Sequence, residues 1–193
     1  MKKMFLVLIA AGSCLFGSAQ VQFGVKAGYN LDNVTMSPSQ SGISSRSDFN
    51  GGIFASIPLF SSCSLQPEVL YSGQGAAFSN SSATGKANYD YLNVPVLFKY
   101  QHHSGLFAET GPQIGFLLSA KETAAGQSVD TKSQSQSTDF SWVFGIGYKL
   151  PFGLGIDARY NLGLTNINKD SQSNGTIKNS VFQFGLFYLF PKL

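Results

Sequence analysis

Phe140-Ser141-Trp142-Val143-Phe144-Gly145-Ile146-Gly147-Tyr148-Lys149-Leu150 decides how this chain folds. Phe140, Trp142, Phe144, Ile146, Tyr148 and Leu150 fall in one phase of a period of two, and Ser141, Gly145, Gly147 and Lys149 in the other. A strand turns successive side chains to opposite faces, so this segment has one apolar face and one small or polar face. The pattern then repeats. Leu154, Ile156, Ala158, Tyr160 and Leu162 alternate with Gly155, Asp157, Arg159, Asn161 and Gly163. Phe182, Phe184, Leu186, Tyr188 and Phe190 share a phase opposed by Gln183 and Gly185.

The same alternation predicts eight strands, at 22–31, 48–60, 64–75, 88–100, 105–119, 138–150, 154–164 and 177–190. Residues 61–63, 101–104 and 151–153 make short connections. Residues 32–47, 76–87, 120–137 and 165–176 make long ones, rich in Ser, Asn, Gln and Gly. An even number of strands with short turns at one end and long loops at the other is the pattern of a transmembrane barrel. The expected fold is all-β: an eight-stranded antiparallel transmembrane β-barrel with short periplasmic turns and long extracellular loops.

Alternation alone leaves open which face points out, since a soluble lipocalin-like barrel turns its apolar face inward. Size separates the two. Eight strands enclose an interior just wide enough for side chains or one small ligand, and Phe, Tyr, Trp, Leu or Ile at most positions of one phase is too much bulk for it. The other phase carries Gly24, Gly28, Gly111, Gly115, Gly145, Gly147, Gly155, Gly163 and Gly185. It also carries Lys26, Glu68, Lys99, Glu109, Lys149, Asp157 and Arg159, while the apolar phase carries no charge at mid-strand. A Lys or Arg at mid-depth in lipid costs about 2–4 kcal/mol. The aromatics are therefore expected in lipid and the seven charges in the lumen, as a structural network. Tyr29, Tyr71, Trp142 and Tyr160 near one set of strand ends, and Tyr100, Tyr148 and Phe190 near the other, read as aromatic girdles.

The bulk composition agrees. The 193 residues hold 13 Lys+Arg and 10 Asp+Glu, a formal charge of +3, with 17 Phe and 21 Gly. Only 12 % are charged, against about 25 % in an average soluble domain. The charge is too small for a nucleic-acid-binding surface, so no nucleic-acid partner is expected. A mean hydropathy of +0.04 excludes a polytopic helical membrane protein. The first residues read as an address. Met1-Lys2-Lys3 is positive, Met4 to Ala11 apolar, and Gly17-Ser18-Ala19 small, as before a secretory cleavage site. Residues 1–19 are expected to be a removed signal peptide and 20–193 the barrel domain. A lipoprotein signal at Cys14 lacks the Leu three residues earlier. Cys63 is then the one Cys of the mature chain, too few for a disulfide framework.

Four segments carry a family resemblance. Leu65-Gln66-Pro67-Glu68-Val69-Leu70-Tyr71-Ser72-Gly73-Gln74-Gly75 resembles the third strand of the PorT-like outer-membrane β-barrel family, and Tyr91-Leu92-Asn93-Val94-Pro95-Val96-Leu97-Phe98-Lys99-Tyr100 resembles its fourth. Gly24 to Asn30 is similar to its opening strand and Arg159 to Ile167 to its seventh. The chain departs at Asn93, where an acid is common, and in ending Phe190-Pro191-Lys192-Leu193 beyond the terminal aromatic. The resemblance implies an integral protein of a Gram-negative bacterial outer membrane. The founding member of that family is linked to protein secretion across that membrane.

The sequence offers little chemistry. His102-His103 sits in a short turn with no Cys or carboxylate at ligand spacing, so no metal is expected. Neither a phosphate-binding P-loop nor a strand–helix dinucleotide motif is present, so no cofactor is expected. The expected function is non-enzymatic: a structural or interaction protein, in contact with outer-membrane lipid, belonging to a protein-secretion or envelope complex. A narrow ion or small-solute channel and a lipid-modifying outer-membrane enzyme are the alternatives.

Overall fold

The computed structural model describes residues 21–37, 43–80, 83–124, 127–132, 136–165 and 176–191. The leader expected at 1–19, the cleavage expected after it and most of the 165–176 connection lie outside the described residues. The strands are β1 (Gln22–Ser37), β2 (Ile43–Phe60), β3 (Cys63–Asn80), β4 (Ala83–Gln101), β5 (Leu106–Ala124), β6 (Gln127–Asp130), β7 (Thr138–Lys149), β8 (Leu154–Gly163) and β9 (Thr176–Leu189). Every neighbouring pair is antiparallel, and β9 pairs with β1, which closes the sheet. Among the described residues β6 pairs only with the upper end of β5, so the closed wall has eight strands.

The wall orients as the alternation demands. Phe144, Ile146, Ile156, Phe182, Phe184 and Leu186 face out and are half-exposed or more. Their partners in the other phase, Gly145, Asp157, Arg159 and Gln183, face the lumen and are buried. Outward apolar runs such as Leu92–Tyr100, Phe140–Tyr148 and Phe182–Phe190 are each nine residues long, in line with the roughly 9–11 a tilted strand needs to cross a bilayer. Two turns at the short end need glycine: Gly105 and Gly153 have φ of 98° and 95°, where other residues are strained.

Two expectations are corrected. The connections at 32–47 and 76–87 are mostly strand: β1 runs on to Ser37, β2 starts at Ile43, and β3 and β4 leave only 81–82 outside. Within 120–137, β5 continues to Ala124 and β6 returns beside it. These extensions are Ser-, Asn- and Thr-rich and rise past the apolar belt, so neither face is apolar and period-2 hydrophobicity does not mark them. The wall is consequently uneven. β1 to β5 have 16 to 19 residues, and β7 and β8 have 12 and 10.

The second correction concerns bulk. Large apolar side chains do stand in the lumen: Phe54, Phe107 and Phe187 near the short-turn end, Leu70 and Leu97 midway, and Tyr91 with Leu117 near the far end. They fit because glycines face them. A Cβ on Gly24, Gly147 or Gly155 would collide with the ring of Phe54, Phe107 or Phe187 respectively. The lumen phase also changes parity along β5. Tyr91 pairs with Leu117 but Asp90 with Ser119, so Leu118 is an extra, bulged residue. Leu117 and Ala120 are buried while Leu118 is exposed.

Candidate functional site

The lumen holds the groups with chemical potential, in layers. Nearest the short turns is an aromatic layer. Phe187 meets Phe54 and Phe107 edge-on, with ring centroids 6.0 and 5.8 Å apart. Such edge-to-face contacts match the ring quadrupoles. Leu189 completes the cluster.

The next layer is ionic. Arg159 on β8 donates through Nη1 to Glu68 Oε2 and through Nη2 to Glu68 Oε1, both at 2.7 Å, and through Nε to Glu109 Oε1 at 2.6 Å. β8 and β3 lie four strands apart in either direction around the wall, so this guanidinium spans the barrel's width. Lys26 donates to Asp157 Oδ2 at 2.5 Å. Lys99 Nζ lies 3.9 Å from Glu109 Oε2, donates to Gln66 Oε1 at 3.2 Å, and sits 3.6 Å from the centroid of the Phe107 ring. It thereby joins the ionic layer to the aromatic one through a cation–π contact. Three cations face three anions, all with side chains at most 7 % exposed. Balanced pairing is what buried charges require. Gly145 and Gly185 make room: a Cβ on Gly145 would stand 2.9 Å from Glu109 Cγ, and one on Gly185 2.7 Å from Asp157 Oδ1.

Above the charges lies a neutral polar layer. Asn30 Nδ2 donates to Ser72 Oγ at 2.9 Å and to the Gly73 carbonyl at 2.7 Å. Asn50 Nδ2 and Gln183 Nε2 both donate to Asn30 Oδ1. On the opposite wall Gln113 Nε2 donates to Ser141 Oγ at 3.0 Å.

Of the seven lumen charges expected, Lys26, Glu68, Lys99, Glu109, Asp157 and Arg159 meet in this cluster. Lys149 lies apart, half-buried at the end of β7 on the short-turn rim. Tyr29, Tyr71, Tyr100, Trp142, Tyr148, Tyr160 and Phe190 all lie on the outward phase. Two of them bind protein rather than only facing outward. Tyr71 donates to Asp90 Oδ1 at 2.8 Å, and Trp142 Nε1 donates to Thr110 Oγ1 at 2.8 Å. The polar layer and the three phenylalanines were missed. Asn and Gln look alike in lumen and loop, and a lone Phe in the polar phase gains its meaning only from the glycine on the next strand. His102 and His103 are exposed in the β4–β5 turn, their rings 3.8 Å apart. Among the described residues no three His, Cys, Asp or Glu side chains gather where a metal ion could bind.

The sequence profile of the family described as outer membrane protein beta-barrel domain matches residues 16–169. No curated protein matches the sequence. Among solved structures the chain is similar to Neisserial surface protein A, with a TM-score of 0.54 and 16 % identity, over 87 % of this chain and 97 % of that one. It is also similar to Ail, the attachment invasion locus protein of Yersinia pestis, in a complex with the heparin analogue sucrose octasulfate. There the TM-score is 0.52 and the identity 16 %, over 88 % of this chain and 99 % of that one. At this identity the likeness shows the fold alone.

Proposed function

The chain belongs to the outer membrane protein beta-barrel domain family, and from that premise we propose that it is a non-conducting, non-enzymatic scaffold that presents polar hairpins to partner proteins of the cell envelope. The observation that carries this reading is the filled lumen. Arg159 crosses it to Glu68, and the three phenylalanines stack beneath. A lumen occupied by its own side chains leaves the extensions of β1 to β6 as the surface available for function, and loops and tips held by a rigid frame commonly carry it. In this reading the short turns face the periplasm and the tall hairpins face outward, as loop length suggests. The resemblance of Leu65–Gly75 and Tyr91–Tyr100 to PorT-like strands supports a secretion-complex protein as the partner; that step is analogy between family members.

Photo-crosslinking residues placed at Ser45, Lys86 and Val129, one per tall hairpin, test the proposal in native envelopes. Recovery of the same envelope protein from these positions, and not from a control at Ser62 on the short-turn end, supports it. Partner-free spectra at all three hairpins contradict it. A lipid-composition change on deletion that one hairpin substitution reproduces would support the enzyme alternative instead.

A further inference from the structure

One lumen carboxylate stands outside the charge balance. Glu68 and Glu109 pair with Arg159, and Asp157 pairs with Lys26. Asp139 faces the lumen from the top of β7, just past the Phe140–Tyr148 apolar run, and is 9 % exposed. Its Oδ1 is buried without a hydrogen-bond partner, and among the described residues no basic side chain pairs with it. Lys26, Lys99 and Arg159 are held in the ionic layer below the polar one. The titratable group facing Asp139 is Tyr91 on β4, with Tyr89 packed behind it. On β5 and β7 its lumen neighbours are Gln113, Gly115 and Ser141, which carry no charge. A Cβ on Gly115 would stand 3.4 Å from Tyr91 Cδ1 and 3.7 Å from the Asp139 carbonyl oxygen, so ring and strand meet over that glycine. A buried carboxylate with no counter-charge favours its neutral form, and burial pushes the Asp139 carboxyl up to about 6.

The groups around Asp139 also hold β6 in place. Tyr91, Leu117 and Ala120 form a small buried cluster. The Thr131 N–H, next after β6, donates to the Ala120 carbonyl at 3.0 Å, and the Leu117 N–H donates to the Ser137 carbonyl at 2.9 Å. These two bonds tie both flanks of the β6–β7 connection to β5, one on each side of the Leu118 bulge. Asp139 follows Ser137 by two residues. Seating 137–139 beside Tyr91 buries the carboxylate, so seating and ionisation oppose each other. We propose that Asp139 is a proton-operated latch: neutral, it lets 137–139 seat beside Tyr91 and keeps β6 docked on β5; ionised, it pulls toward water and loosens both bonds. Proton activity at the long-hairpin end thereby sets how rigidly β6 is presented. The latch goes beyond the scaffold reading and holds whether or not the hairpins bind a partner.

Amide hydrogen exchange read by NMR on the barrel in nanodiscs tests it, with each rate corrected for the intrinsic pH dependence of exchange. An acid whose pKa is raised on seating favours the seated state below its ordinary value and loses that contribution as pH rises through the raised one. Protection of the Leu117 and Thr131 amides should therefore fall about a hundredfold between pH 4 and pH 7 and stay level above. Asp139→Asn keeps the shape and removes the titration, and should retain its pH 4 protection at pH 7. Asp139→Leu, a second neutral variant, should do the same. The Lys149 amide, bonded to the Gly105 carbonyl at the opposite rim, should keep its protection in every protein at both pH values. Folding of each variant is checked by its shift in electrophoretic mobility on heating. Equal protection of Leu117 and Thr131 at pH 4 and pH 7 in the wild-type protein, or the same loss in a folded neutral variant, overturns the proposal.

Discussion

Arg159 and Glu68 form a two-pronged ion pair across the full width of the barrel, with both guanidinium–carboxylate contacts at 2.7 Å. The two residues are 91 positions apart in sequence and on opposite walls. One planar fork also holds Glu109 through Nε, a geometry that lysine has no means to reproduce. Truncating one partner of a buried pair costs about 3–5 kcal/mol because the other charge is stranded. Glu68→Ala should therefore lower the urea midpoint of the barrel in lipid vesicles by a corresponding amount. Arg159→Lys should also lower it, by less, since an ammonium keeps the charge but not both carboxylate partners.

Gly155 and the Phe187 ring contest the same space. Gly155→Val should overpack the aromatic layer and destabilise by about 1–3 kcal/mol. Phe187→Ala empties the same layer and should cost about 3–5 kcal/mol. Together the two changes should cost less than the sum of their separate effects, because the valine then enters space the ring has left. Additive losses in the same vesicle-unfolding assay would show that the glycine serves something other than the ring.

Ile146 sits on the outward belt at 68 % exposure. Replacing it with Lys puts a charge against lipid chains at mid-strand and should cost about 2–4 kcal/mol. The same substitution at Val129, on β6 beyond the belt and 60 % exposed, should cost nothing measurable. The contrast in unfolding midpoint locates the belt edge along the wall.

Trp142 faces outward yet donates its indole N–H to Thr110 Oγ1, whose hydroxyl in turn donates to the Val143 carbonyl at 2.9 Å. Trp142→Phe keeps the aromatic surface and removes that donor. A loss of about 0.5–1.5 kcal/mol is expected, and Thr110→Val should make the further loss at Trp142→Phe disappear in a double-mutant cycle.

The barrel was legible because its evidence is repetitive. Phe140 to Leu150 and Phe182 to Phe190 carry the period of two on an unbroken apolar face, and the charges at Lys26, Glu68, Lys99, Glu109, Asp157 and Arg159 keep to the opposite phase. Phase assigns a side chain to a face; it does not say which side chain crosses the lumen to meet which. That Arg159 crosses the lumen to hydrogen-bond Glu68, while Asp157 hydrogen-bonds Lys26, depends on strand stagger and on the space left by Gly145 and Gly185. Phe107 illustrates the remaining limit. It shares a phase with Glu109 and looks misplaced until Gly147, opposite it on β7, shows where the ring goes. The Leu118 bulge shifts the phase by one residue, and the extensions of β1 to β5 carry no apolar face. Neither leaves a hydrophobic periodicity to read.

The proposed scaffold role requires a lumen closed to ions by its own side chains, with Arg159 and Glu68 above the Phe54, Phe107 and Phe187 layer. Single-channel recording in planar bilayers measures that closure. The wild-type barrel should give no conductance steps above the bare bilayer. A variant that removes both barriers, Glu68→Ser/Arg159→Ser with Phe107→Ala and Phe187→Ala, should give discrete steps if it folds by the heat-shift criterion. Reproducible steps from the wild-type protein, altered in ion selectivity by Lys99→Gln or Glu109→Gln, would contradict the scaffold account and identify the barrel as a channel.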